Sequence, residues 1–108
     1  MPLISMPKGA LVMLILRILE GGALHGYAIA QRIRALSSDV LEAEEGSLYP
    51  ALQRIQLEGW TTTEWGTSET GRSVRFYKLT ASGRKQLKLE VAEYEQVTTA
   101  IQAILRLA

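Results

Sequence analysis

Glu45-Gly46-Ser47-Leu48-Tyr49-Pro50-Ala51-Leu52-Gln53-Arg54-Ile55-Gln56-Leu57-Glu58-Gly59-Trp60 is the stretch from which the rest of the chain can be read. Leu48, Leu52 and Ile55 recur at i, i+4 and i+7, one apolar stripe of an amphipathic helix. Ser47 is placed to cap it, its hydroxyl accepting an orphan N–H of the first turn. Pro50 then falls in that first turn, where a missing N–H breaks no intrahelical bond. Gly59 ends the helix at the usual C-terminal glycine position. At about 100° per residue, Ser47, Pro50, Gln53 and Arg54 lie opposite the stripe, with Tyr49 on its flank and Leu57 outward. A hydroxyl, an amide and a guanidinium on one outward face suit the reading of base edges in a major groove. An ordinary packed helix with a solvated face has the same pattern, so its neighbours must decide.

Beyond Gly59 the period changes from 3.6 to 2. Trp60 to Trp65 is rich in threonine and aromatic residues, and Val74 to Leu79 alternates as well. Between them the polar loop Gly66 to Ser73 carries two glycines, and the spacing predicts a hairpin. From Gly71 to Leu89 there is no acidic residue, whereas Arg72, Arg75, Lys78, Arg84, Lys85 and Lys88 are basic. This run supplies an electrostatic footprint for phosphate that the net charge of +1 conceals; a solvated basic face is the alternative, and the order helix, helix, helix, hairpin favours the footprint. Thr80 is placed to cap a last helix over Ala81 to Arg106. There Leu87, Val91, Tyr94, Thr98, Ile101 and Leu105 step by four and three, a heptad-type seam. Such a helix is about 40 Å long. That is too long to lie wholly on a small globule, and it predicts an isologous dimer.

Upstream, a first helix is expected over Lys8 to Glu20, after an arm of little pattern. It is apolar nearly all round, so a second chain is expected to supply missing cover, with Leu11 and Ile15 in the interface. Gly21 and Gly22 end it. A second helix follows over Gly26 to Leu36, with Ile29, Ala30, Ile33 and Leu36 inward. His25 and Tyr27 sit at its start, where a helix N-terminus favours an anion; for His25 the simpler role of capping the turn is preferred. Ser37 to Gly46 forms an acidic turn, and Glu44 and Glu45 suit the positive end of the next helix.

The chain has 108 residues, 47% hydrophobic and 21% charged, which fits one folded domain. There is no cysteine, excluding disulfides and thiolate chemistry, and this fits a reducing cytoplasm. One histidine and no carboxylate pair in an apolar setting leave little for a zinc site or acid–base catalysis. No glycine spacing matches a nucleotide loop. Accordingly no enzyme, metal or cofactor is expected. The run Ala10 to Leu16 is too short to span a bilayer, and no cleavage site follows it.

Three segments together resemble the PadR family of bacterial transcriptional regulators, which are winged helix-turn-helix proteins. They are His25-Gly-Tyr-Ala-Ile-Ala-Gln-Arg-Ile33, Glu45-Gly-Ser-Leu-Tyr-Pro-Ala-Leu-Gln-Arg-Ile55 with Gly59-Trp60, and Arg75-Phe-Tyr-Lys-Leu-Thr-Ala-Ser-Gly83. The resemblance implies a homodimer on a pseudo-palindromic operator in double-stranded DNA, usually as a repressor. It assigns Ser47, Tyr49, Pro50, Gln53 and Arg54 to the recognition helix, Tyr27 to the supporting helix, and Arg72 and Arg75 to the wing. Family wings often carry two adjacent basic residues before the aromatic pair, whereas here Ser73 follows Arg72. Some relatives bind aromatic molecules between tryptophans at the dimer interface. The last helix here has only Tyr94, so an effector is left unassigned, and Trp60 and Trp65 are read as core and hairpin residues.

The resulting expectation is a mostly α fold with a small β-hairpin. Residues 1–80 form a winged helix-turn-helix domain continuous with a dimerisation helix over 81–108. Dimer contacts are expected from Leu11, Ile15, Leu87, Val91, Tyr94, Ile101 and Leu105. The expected function is that of a cytoplasmic DNA-binding regulator. A winged-helix dimer that docks on a protein partner is the alternative, supported by the acidic turn and by Leu57.

Overall fold

The computed structural model describes residues 3–5 and 9–108. The elements in order are β1 (Ile4–Ser5), α1 (Ala10–Leu19), β2 (Leu24–His25), α2 (Gly26–Leu36), β3 (Leu41–Glu42), α3 (Glu45–Leu57), β4 (Thr61–Thr67), β5 (Ser73–Leu79) and α4 (Ala81–Leu105). Lys8, expected to open helix one, and most of the preceding arm lie outside the described residues. Ile4 and Ser5 of that arm pair in parallel with Leu41 and Glu42, a contact that the patternless arm did not suggest.

The core is built around α1. Its Leu11, Val12, Met13, Ile15, Leu16 and Leu19 are buried, and Leu14 and Ile18 pack against the same cluster. The cover comes from α2, α3, β5 and α4, all of which contact α1. This corrects the expectation that a second chain is needed to cover helix one. A helix that is apolar all round is satisfied when its own domain surrounds it. Ile29 and Ile33 of α2, Leu48, Leu52 and Ile55 of α3, Tyr77 and Leu79 of β5, and Leu87 of α4 complete the core. Leu36, expected inward, is 67% exposed, because α2 has run past the edge of the core by its last residue. The chain then reverses through Ser38 and Asp39, both at positive φ.

Helix α3 starts earlier than its capping pattern suggests. Glu44 is the N-cap residue, without a side-chain capping bond, and its carbonyl accepts from Leu48 N at 2.8 Å. Ser47 therefore lies inside the first turn and does not cap it. Glu45 puts a carboxylate in that turn, the favourable end for negative charge. Pro50 is an interior residue, so the Gly46 carbonyl has no i+4 donor. Gly46 is exposed, which leaves that carbonyl open to solvent. The C-terminus of α3 is closed by Gly59 at φ 77. Trp60 N donates to Ile55 O at 2.9 Å and Gly59 N to Gln56 O at 3.0 Å, the paired bonds of a Schellman cap.

Strands β4 and β5 form the expected hairpin, with Thr61 opposite Leu79 and Trp65 opposite Arg75. The connecting loop is shorter than the polar run, residues 68–72. Gly66 belongs to β4, where a Cβ would stand 2.7 Å from Phe76 Cε2, so the glycine there makes room for a ring. Leu24 and His25 add a third strand, paired antiparallel with Tyr77 and Phe76. Two residues are too few to show a period, and this strand had no signal in the sequence. The sheet order is β2-β5-β4.

Thr80 joins the two halves. Its Oγ1 accepts from Gly83 N at 3.0 Å, capping α4, and donates to Gly59 O at 2.8 Å, at the end of α3. Gly83 sets α4 close against Trp60, which precedes β4, and Leu79, which ends β5, since a Cβ there would collide with the Trp60 carbonyl. Past Val91 only Thr98 of α4 is even partly covered. The helix stretches the molecule to 56 × 35 × 22 Å. Its radius of gyration is 15.2 Å, against about 13 Å for a compact chain of this length.

Candidate nucleic-acid interface

The surface in question is assembled from α2, α3 and the β4–β5 hairpin, the wing. Burial of Leu48, Leu52 and Ile55 turns Ser47, Pro50, Gln53, Arg54 and Leu57 outward along α3, all exposed. Gly26 brings the start of α2 against α3, where a Cβ would lie 3.3 Å from Leu52 Cδ1 and 3.5 Å from Tyr49 Cε1. Tyr27 at that start is 66% exposed, and Tyr49 is 53% exposed. His25 caps α2, Nδ1 accepting from Ala28 N at 3.4 Å, which agrees with its simpler reading. Its ring also meets Phe76 edge-on at 5.5 Å.

The two tryptophans each carry an arginine. Arg54 lies over the Trp60 ring at 5.8 Å from its centroid, beside the end of α3. Arg75 lies over Trp65 at 5.1 Å, on the wing. Arg75 and Tyr49 also bear on Tyr77, which is buried at the base of the wing. Burial raises the Tyr77 hydroxyl pKa above 10.0, the Arg75 charge works against the rise, and Tyr49 adds to it. Tyr49 of α3 and Arg75 of the wing thus both act electrostatically on Tyr77. Gln56 Nε2 adds a bond to Thr63 Oγ1 at 3.4 Å.

The basic run divides. Arg72 ends the hairpin loop and Arg75 lies on the helix-facing side of β5, but Lys78 faces the opposite side and Arg84, Lys85 and Lys88 belong to the first turns of α4. The positive charge beside α3 is therefore narrower than the linear run suggested. The residues expected in the dimer contact also divide. Leu11, Ile15 and Leu87 are consumed by the chain's own core, and Val91 packs against it. Tyr94, Ile101 and Leu105 remain exposed.

Trp65 escaped the sequence reading as part of this surface. Its signal lay in the register, since Trp65 can face with Arg75 only if the loop is shortened to residues 68–72. Among the described residues no group of three His, Asp or Glu could hold a metal, and no helix is long and apolar enough to cross a membrane.

Comparison with known proteins agrees with this architecture. A protein of Lysinibacillus sphaericus described as uncharacterized is 27% identical over 94 residues, 87% of this chain and 86% of that one. A transcriptional regulator from Clostridium thermocellum superposes with a TM-score of 0.84 at 27% identity, covering 92% of this chain and 96% of the other. A PadR-like transcriptional regulator from Bacillus cereus gives 0.77 at 27% identity, covering 94% and 96%. The family model described as "Transcriptional regulator PadR-like family" matches residues 15–89. That span runs from the centre of α1 to the first turns of α4, and the chain belongs to the PadR-like family of transcriptional regulators, which are not enzymes.

Proposed function

We propose that this regulator acts as a cytoplasmic homodimer that binds a pseudo-palindromic operator and represses transcription. The observation that carries the reading is the outward face of α3, with Ser47, Tyr49, Pro50, Gln53 and Arg54 exposed together beside a wing bearing Arg72 and Arg75. Phosphate contacts from the arginines fix register, and the short polar side chains of α3 read base edges. Tyr27 lies at the start of the supporting helix, where a phosphate can meet both the phenol and the helix terminus. The exposed half of α4 pairs two such units, so that two reading helices meet successive major grooves. Repression follows from occupancy, because a dimer seated on a promoter excludes the polymerase.

The test is a fluorescence-anisotropy titration with DNA from upstream of the protein's own gene against a scrambled duplex, at two salt concentrations. The expected result is salt-sensitive binding with a preference of about a thousandfold or more. In transcription from the same template, added protein is expected to lower the yield. Weak binding, equal for both duplexes, would hand the lead to the protein-docking alternative, for which Leu57, 80% exposed at the end of α3, is the natural anchor.

A further inference from the structure

We propose that Trp65 is a positioning residue for DNA binding, holding the Arg75 guanidinium over its indole so that its N–H donors are presented to a phosphate beside the reading helix. The proposal rests on the DNA-binding reading above. Its starting observation is that Trp65 is 66% exposed. A large aromatic residue on a hairpin that leaves two-thirds of itself in water contributes little to a core, yet its face is occupied by a cation at 5.1 Å.

The register places this pair. Alternate residues of a strand share one face of the sheet. Thr61 opposite Leu79, Thr63 opposite Tyr77 and Trp65 opposite Arg75 are therefore successive rungs on one side of the hairpin. Thr61, Leu79 and Tyr77 are buried against the helices. Thr63 accepts from Gln56 of α3. The Trp65–Arg75 rung is the next outward, where the wing has left the core but still faces the α3 side.

The cation–π contact leaves the useful part of the arginine open. A cation held over a ring face by its charge spends none of its five N–H donors on a hydrogen-bond acceptor. Arg75 has no salt bridge among the described residues. Glu64 pairs with Phe76 and so lies on the opposite face of the hairpin. A long side chain on an exposed strand ordinarily loses rotamer freedom when it binds. Here Trp65 has already taken up that cost in the free protein, which is preorganisation in the sense that raises affinity.

The experiment has two arms on the full chain. In the free protein, NMR of the Arg75 Cδ protons is expected to show upfield ring-current shifts that vanish in Trp65→Ala and persist in Trp65→Tyr. In operator titrations, Trp65→Ala and Arg75→Ala are each expected to weaken binding about tenfold, the scale of a lost charge-assisted hydrogen bond. The double variant is expected to be no weaker than Arg75→Ala alone, and Trp65→Tyr to restore most of the affinity. The melting temperature of Trp65→Ala is expected to stay near that of the parent, which excludes a merely structural effect.

Unchanged Arg75 shifts in Trp65→Ala would overturn the contact between the two side chains. Parent-like operator affinity in that variant would overturn the positioning role alone. Multiplying losses in the double variant would make Trp65 an independent contact and overturn its action through Arg75. Absence of binding by the parent protein to any duplex would overturn the DNA-binding reading and the proposal with it.

Discussion

At the scale of single residues, the informative side chains of this protein are those whose chemistry and surroundings disagree. Tyr77 is a phenol in the core, and burial raises its pKa above the ordinary 10.0 despite the nearby Arg75. The unfolded chain therefore loses that proton first as pH rises. Between the two pKa values the folded state holds more protons, so the contribution is complete below about pH 10 and declines above it. Urea midpoints measured across the alkaline range are expected to fall for the parent, and to fall less steeply for Tyr77→Phe. An equal slope in both would remove Tyr77 as the cause. Gln53 and Arg72 separate reading from anchoring in the proposed complex. Loss of a base-reading amide in Gln53→Ala is expected to cost about 1–3 kcal/mol on the preferred operator and relax discrimination there. Arg72→Ala is instead expected to weaken all duplexes alike and flatten the salt slope by about one unit. Sequence-dependent losses at Arg72 would mean that the wing reads base sequence or groove shape.

Between elements, the joints matter more than the helices themselves. Thr80 holds the end of α3 to the start of α4 through one hydroxyl, accepting from Gly83 N and donating to Gly59 O. Thr80→Ala removes a cap and a tether together and is expected to lower stability by about 1–2 kcal/mol. Thr80→Ser keeps both bonds and is expected to stay close to the parent in urea unfolding. Gly83→Ala tests a different joint, since the added methyl would meet the Trp60 carbonyl and the Leu79 side chain. Backbone cannot be displaced as a flexible side chain can, and a loss of about 1–3 kcal/mol is expected from overpacking. A Gly83→Ala protein as stable as the parent would show that α4 can slide on the sheet. These joints also show what the sequence could disclose. The Leu48, Leu52, Ile55 stripe, the Thr80 cap and the alternating strands were legible, because periodicity and capping are local. The start of α3 was misplaced because a serine followed three residues later by a proline imitates a cap and a first-turn proline. The third strand and the parallel pairing of Ile4–Ser5 with Leu41–Glu42 were invisible, because two-residue strands exist only through their tertiary partners.

For the whole molecule, α4 determines the shape and poses the last question. Its heptad seam was visible in the sequence, but the structure divides that seam along its length. Leu87 and Val91 pack on the chain's own core, whereas Tyr94, Ile101 and Leu105 lie open, with Val97 and Ile104 beside them. Periodicity finds an apolar face without saying which surface covers it, and for that reason Leu11 and Ile15 were assigned to an interface that their own domain already occupies. What is left is a row of apolar side chains on a helix that projects beyond the domain. Several turns of such surface are poorly tolerated by a monomer, and a second copy of the same helix offers a self-complementary cover. The proposed dimer is tested by Ile101→Glu combined with Leu105→Glu, which places charge in the seam without touching the buried core. Light scattering is expected to give twice the 11.9 kDa chain mass for the parent and a single chain mass for the variant. Circular dichroism is expected to retain the core helices, since both positions are exposed. Operator affinity is expected to fall by about a hundredfold or more, because a monomer holds one half-site and loses the effective concentration that tethers the second. A parent protein that is monomeric at micromolar concentration would end the dimer reading. A variant that stays dimeric would move the interface away from the end of α4.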